Sequence, residues 1–212
     1  MSGKPLEHAK MVAEALLRSL DPEDRFEIVA FANDVRPLVP VPTKAGEENL
    51  EKAIATLNRL TAGGGTEMTH AMLKALEPLR PESQRQVILL SDGQVGFESE
   101  VIGALLERLV PGARLHAVAI GSAPSRTLTR GVARAGRGIE ILVGNGDDVK
   151  VASRRLLQAT VRPILTDIEV AGSALAGLAP GRPQDVLAGQ PLVLLAEISA
   201  AGGELERDAG VP

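Results

Sequence analysis

"QVILLSDG", residues 86–93, is an uninterrupted apolar run that stops in a polar Ser-Asp-Gly turn. Because alternate strand residues face opposite sides of a sheet, such a run is apolar on both faces and belongs to a strand covered on both sides, as in a parallel sheet. Ligands of an open parallel sheet bind at the carboxyl ends of its strands. Asp92, just past this strand end, is therefore set where a carboxylate faces that crevice.

Downstream, "RLHAVAIG" (114–121) and "GIEILVG" (138–144) read as further strands, separated and followed by helix-period segments at about 99–109, 124–135 and 147–160. Upstream, residues 5–20 place Leu6, Ala9, Ala13, Leu16, Leu17 and Leu20 on one helical stripe. "DPED" (21–24) stops that helix before the strand "RFEIVAFA" (25–32). "VRPLVPVP" (35–42) reads as an extended edge piece, since proline cannot donate to a central ladder. A helix over 47–60 follows, then the loop of "GGGTEMTHAM" (63–72), which opens a third helix over 68–79. Strands alternating with helices spell a doubly wound α/β fold. After "RPILTDIEV" (162–170) the helix period vanishes, and 162–212 reads as the start of a separate β-rich domain after an α/β domain over 1–161.

The chain has 212 residues, with 44% hydrophobic and 24% charged, ordinary values for a globular protein. Its three phenylalanines are the only aromatics, so the core is aliphatic. A net charge of −4 carries no basic footprint for nucleic acid. The absence of cysteine excludes disulfides, thiolate-held zinc and thiol catalysis, without fixing the compartment. No apolar run approaches the ~18 residues of a membrane helix, and "MSGKPLEHAK" (1–10) holds no apolar stretch.

Enzyme motifs are missing. "GGGTEM" has no lysine after its glycines, as a phosphate loop of the P-loop type requires. Neither Gly-x-Gly-x-x-Gly after an early strand nor Gly-x-Ser-x-Gly occurs. His8, His70 and His116 are scattered; His116, inside a strand, reads as a satisfied structural histidine, and His70 as a solvated helix position one turn beyond Thr66. Glu67, Asp147 and Asp148 suit helix N-terminal turns, and "AGRG" (135–138) and "GNGDD" (144–148) suit turns. Arg126, Arg130 and Arg134 have helical spacing and, with Arg137, read as a solvated face or a surface for an acidic partner. Thr66 and Asp92 offer two hard oxygen donors that fit Mg²⁺, Mn²⁺ or Ca²⁺. Read singly, Thr66 is better taken as a helix N-cap and Asp92 as a turn residue.

Taken together, "GGGTEM" followed by "LLSDGQVG" resembles the von Willebrand factor A domain, and "SGKPL", "LDPEDRF", "IVAF" and "VRPL" are most similar to bacterial proteins related to inter-alpha-trypsin inhibitor heavy chains. The tail "ILTDIEV" with "DVLAGQPLVLLAEI" resembles the segment after the A domain in those proteins. The resemblance implies a Rossmann-like sheet and a metal-ion-dependent adhesion site to which Thr66 and Asp92 contribute. It also implies a non-catalytic role in binding a protein that presents an acidic residue, and an extracytoplasmic or cell-surface setting. The family's Asp-x-Ser-x-Ser, on a first strand lying between those of "RFEIVAF" and "VILLS", does not occur in the sequence; Met1 aligns just after it. The resemblance therefore implies a piece of a longer protein, with an incomplete metal site and weak or absent Mg²⁺ binding. An A domain serving as accessory subunit of a metal-dependent or AAA-ATPase complex is the alternative it allows.

Overall fold

The computed structural model describes residues 1–63, 67–77, 85–110, 112–161, 163–181, 183–187, 191–199, 204 and 206–210. Local sequence sets the first elements. α1 (Lys4–Leu17) begins behind Gly3, with Pro5 in its first turn and Glu7 at its positive end. It ends three residues before the expected Leu20, because Ser19 turns its hydroxyl onto the Leu16 carbonyl at 2.6 Å and the backbone tightens there. β1 (Arg25–Phe31) and β2 (Val35–Lys44) pair antiparallel, with irregular register between Phe26 and Val29. α2 (Glu47–Asn58) carries Glu47 and Glu48 in its first turn. α3 (Met68–Ala75) is shorter than expected; residues 78–84 lie outside the described residues.

β3 (Arg85–Ser91), α4 (Glu98–Arg108), β4 (Ala113–Ile120), α5 (Arg126–Ala135), β5 (Arg137–Val143) and α6 (Val149–Val161) complete the alternation. β3, β4 and β5 form a parallel sheet with β4 in the middle, where all eight of its residues are buried. Alternation divides that strand between two cores. Leu115 and Ala117 pack with Met68, Leu105, Leu128 and Val132 of α3, α4 and α5. Val118 and Ile120 pack with Val12 of α1 and Leu156 of α6. A third cluster, Leu17, Phe26, Ala53 and Ile54, seats α1 and α2 on the β1–β2 pair. Among the described residues no ladder joins β1 to β3: each has one partner strand, β2 and β4 respectively.

From residue 163 onward every described element is a strand. β6 (Pro163–Ala171) pairs antiparallel with β8 (Val186–Leu187) on one edge and β10 (Glu206–Gly210) on the other, while β7 (Leu175–Ala179) pairs with β9 (Leu195–Ile198). In this β segment Ile168, Ala174 and Leu187 are buried. Among the described residues, no helix is long and apolar enough to cross a membrane.

Candidate functional site at the strand ends

The Ser-Asp-Gly turn at the end of β3 is rigidly built. Ser91 is buried, and its Oγ accepts the Gly93 N–H at 3.0 Å. Gly93 has φ +73, and any Cβ there would press into the Ser125 carbonyl group. Only glycine meets both demands without strain. The Asp92 carbonyl accepts the Ser125 N–H at 2.7 Å, tying the turn to the start of α5. This bond holds Ser125 extended and delays α5 to Arg126, two residues after the sequence-based start.

With its backbone tied down, the Asp92 carboxylate stays about one-third exposed at the rim, with one oxygen 3.6 Å from the Met1 ammonium. The first turn of α1 lies over the same rim: a Cβ at Gly121, just past β4, would sit 3.9 Å from Pro5 Cγ. At the end of β1, Ala32 gathers the flanks of the glycine loop. Its carbonyl accepts the Glu67 N–H at 2.8 Å, and a Cβ at Gly63 would come within 2.7 Å of the Ala32 Cβ. Thr66 lies outside the described residues; Glu67, which follows it, is hydrogen-bonded to the end of β1.

A divalent cation of the Mg²⁺ or Ca²⁺ type takes six or more oxygens, with carboxylates among them. Among the described residues, no group of three or more His, Asp or Glu side chains stands ready to hold one. At the rim, Asp92 lies beside an ammonium and the Ser91 hydroxyl is occupied by Gly93. These donors do not fit a tight metal site by themselves.

The remaining candidates fall elsewhere. His116 is 3% exposed; its Nε2 donates to Gln86 Oε1 at 2.8 Å and its Nδ1 accepts the Ile139 N–H at 3.2 Å, making it a structural strut across β3, β4 and β5. Burial, and then the Arg114 charge, lower its pKa to about 4. His70 is exposed, pairs with Glu67 at 2.8 Å, and lines a shallow groove with Val35, Leu73, Lys74 and Arg108. Glu67 stands at the N-terminal end of α3 as expected, with its side chain bonded to His70 in the first turn rather than capping a backbone N–H. Asp147 and Asp148 do brace turns, accepting the N–H groups of Gly144 and Lys150. Arg126, Arg130 and Arg134 are exposed on α5, but Arg126 also reaches Glu140 at 2.6 Å, and Arg137 points away into a separate ion cluster.

That cluster was missed by sequence reasoning. Arg114 is 5% exposed and grips Asp185 with two bonds, 2.6 and 3.0 Å. Its one outward signal is an arginine set directly before the apolar run of β4, a place where a charge needs a partner. Glu140, in the middle of "GIEILVG", is similar: it accepts the hydroxyl of fully buried Thr129 at 2.7 Å.

A protein-family model, described as the von Willebrand factor type A domain, matches residues 1–140. The chain belongs to the von Willebrand factor type A family. A von Willebrand factor A domain-containing protein of Dictyostelium discoideum is 31% identical over 172 residues, 80% of this chain and 18% of the relative. Mouse inter alpha-trypsin inhibitor, heavy chain 4, is 32% identical over 102 residues, 44% of this chain and 11% of the relative. This A domain and its strands thus span about a fifth or less of these relatives' length. The solved von Willebrand factor type A structure from Catenulispora acidiphila shares the fold, with a TM-score of 0.63 and 18% identity over 97% of this chain and 54% of that one. A domains are in general modules of protein interaction or adhesion, and the family membership gives this chain that broad class.

Proposed function

We propose that this A domain is a non-catalytic binding module whose ligand is a protein presenting an acidic residue to a divalent cation, Mg²⁺ or else Mn²⁺ or Ca²⁺. Thr66 and Asp92 contribute to the cation's shell, and an Asp-x-Ser-x-Ser strand in a longer form of the protein supplies the rest. The supporting observation is the construction of the rim. Glu67, next to Thr66, is tied to the end of β1 and Asp92 to the end of β3, while β1 and β3 share no ladder among the described residues. A rim built this way presents the Asp92 carboxylate on a rigid strand end, which supports the reading, since a metal site requires fixed donors. We further propose that residues 1–161 and 162–212 form separate domains and that the protein works outside the cytoplasm.

The test is calorimetric titration of Mg²⁺ and Mn²⁺ into a longer form that carries an Asp-x-Ser-x-Ser strand. Micromolar binding that Asp92→Ala abolishes is the expected result. No binding by the longer form, or full affinity in Asp92→Ala, overturns the assignment.

A further inference from the structure

Arg114, Arg137, Asp167 and Asp185 meet at the opposite pole, where β4 and β5 begin. Arg114 is the second residue of β4 and Arg137 the first of β5, both on the α/β side. Asp167 lies in β6 and Asp185 just before β8, both in the β segment. Besides its two bonds to Asp185, Arg114 donates from Nη2 to Asp167 Oδ1 at 3.1 Å and from Nη1 to the Ala113 carbonyl at 3.2 Å. Arg137 donates from Nη1 to the same Asp167 oxygen at 2.7 Å and from Nε to the Pro183 carbonyl at 3.2 Å. The Asp185 N–H approaches the Arg137 carbonyl at 3.4 Å. Two cations thus meet two anions. Burial opposes the Arg114 charge, but hydrogen bonding and attraction from Asp185 and Asp167 outweigh it and raise its pKa.

The backbone is bent to make this meeting. Arg137 has φ 60 and Asp167 φ 50, the two described non-glycine residues in the left-handed region. Each sits at a break in register. Between Leu115↔Arg137 and Ala117↔Glu140, β5 spends one residue more than β4. Between Thr166↔Gly210 and Glu169↔Asp208, β6 spends one more than β10. Bulges of this kind re-aim a side chain. Left-handed backbone at a non-glycine residue is costly and persists where its surroundings over-determine it. Here both distorted residues belong to the ion cluster.

We infer that this cluster is a latch: Arg114, planted in the central strand, clamps the β segment in one orientation against the strand-start pole of the α/β sheet, remote from the Asp92 rim. The segment is therefore held in a fixed orientation on the A domain rather than swinging on a loose tether. The inference stands independently of the proposed metal site.

Hydrogen exchange read peptide by peptide tests the latch, since local opening of the segment and opening of the sheet are separately visible. In Arg114→Met, amides within 163–187 should exchange at least about tenfold faster, because charge-assisted bonds of the Arg114 kind are lost, while β3, β4 and β5 keep their rates. Arg114→Lys should fall between, since an ammonium cannot span both aspartates as the planar fork does. Unchanged rates in the segment, or equal acceleration in segment and sheet, overturn the latch. If Arg114→Met does not fold, Asp167→Asn decides: its more exposed carboxylate predicts roughly fivefold faster exchange in the segment alone, and rates equal to the parent chain refute it.

Discussion

Acidification is the sharpest probe of the sheet, because His116 couples its charge state to three strands. Nδ1 is an acceptor for the Ile139 N–H, and Nε2 donates to Gln86. This fixes the neutral ring with its proton on Nε2. A second proton would set Nδ1–H against Ile139 N–H, in a site 3% exposed and close to the Arg114 cation. The native pKa of about 4 therefore lies below the 6.5 of a free imidazole. Between these values the unfolded chain binds a proton that the native chain refuses, so stability is complete above pH 6.5 and declines as pH falls towards 4. A separation of roughly 2.5 pH units at about 1.4 kcal/mol each makes the whole effect about 3 kcal/mol. About 2 kcal/mol of it is lost between pH 7.5 and pH 5. Urea unfolding at those two pH values, for the parent chain and for His116→Gln, isolates the contribution. Glutamine retains one donor and one acceptor but no titration, so other groups cancel in the comparison. The stability difference between the two chains should shift by about 2 kcal/mol between the two conditions in favour of the variant at low pH. A difference that stays constant with pH refutes the reasoning.

At Gly93, φ +73 and the nearby Ser125 carbonyl penalise a methyl group twice; Gly93→Ala should cost about 2 kcal/mol or more in thermal unfolding, and a neutral result would mean that the turn relaxes freely. Thr129→Val removes the hydroxyl that Glu140 accepts at 2.7 Å inside the fold, with an expected loss of about 1–2 kcal/mol in urea titration. Arg126→Ala takes the cation from a carboxylate only 8% exposed and should cost at least as much; a smaller loss than in Thr129→Val would contradict this account. Titrated with Mg²⁺ or Mn²⁺, this chain should give no micromolar binding isotherm, because Asp92 lies against an ammonium and belongs to no group of three or more described acidic or histidine side chains; a micromolar Kd would show that the rim assembles a shell from other donors.

The parts of this molecule that follow from periodicity were readable from the residues. β4 displays its burial directly, since "RLHAVAIG" is apolar at alternate positions on both faces except at its start, and a strand of that kind needs a helix layer on each side. Element ends were less legible because tertiary bonds decide them. α5 begins at Arg126 only because the Ser125 N–H is committed to Asp92, 33 residues earlier in the chain. Long-range ion pairing was the least legible. Arg114 and Asp185 carry no periodic signature, and Asp167 reaches the cluster through a bulge that no local pattern announces. At the rim, "LLSDG" located Asp92 correctly at a strand end, whereas the cation that faces it in the folded chain is Met1, far away in sequence.

The two ends of β4 thus carry different chemistry for one physical reason. A strand buried on both faces holds a polar side chain in its interior only where neighbouring strands satisfy it, as Gln86 and Ile139 satisfy His116. It places its charged groups towards its termini, where polar partners or water are again within reach. At the carboxyl end, the polar groups at Ser91 and Asp92 of the neighbouring β3 are largely spent on building the turn, and a carboxylate is left directed outwards. At the amino end, Arg114 is almost entirely enclosed, so its charge must be met by anions from within the fold, and the β segment brings both. The Asp92 carboxylate, about one-third exposed, lies at the pole where we propose recognition, while an enclosed guanidinium is committed to its own chain. The latch is the pole suited to holding the following strands in place.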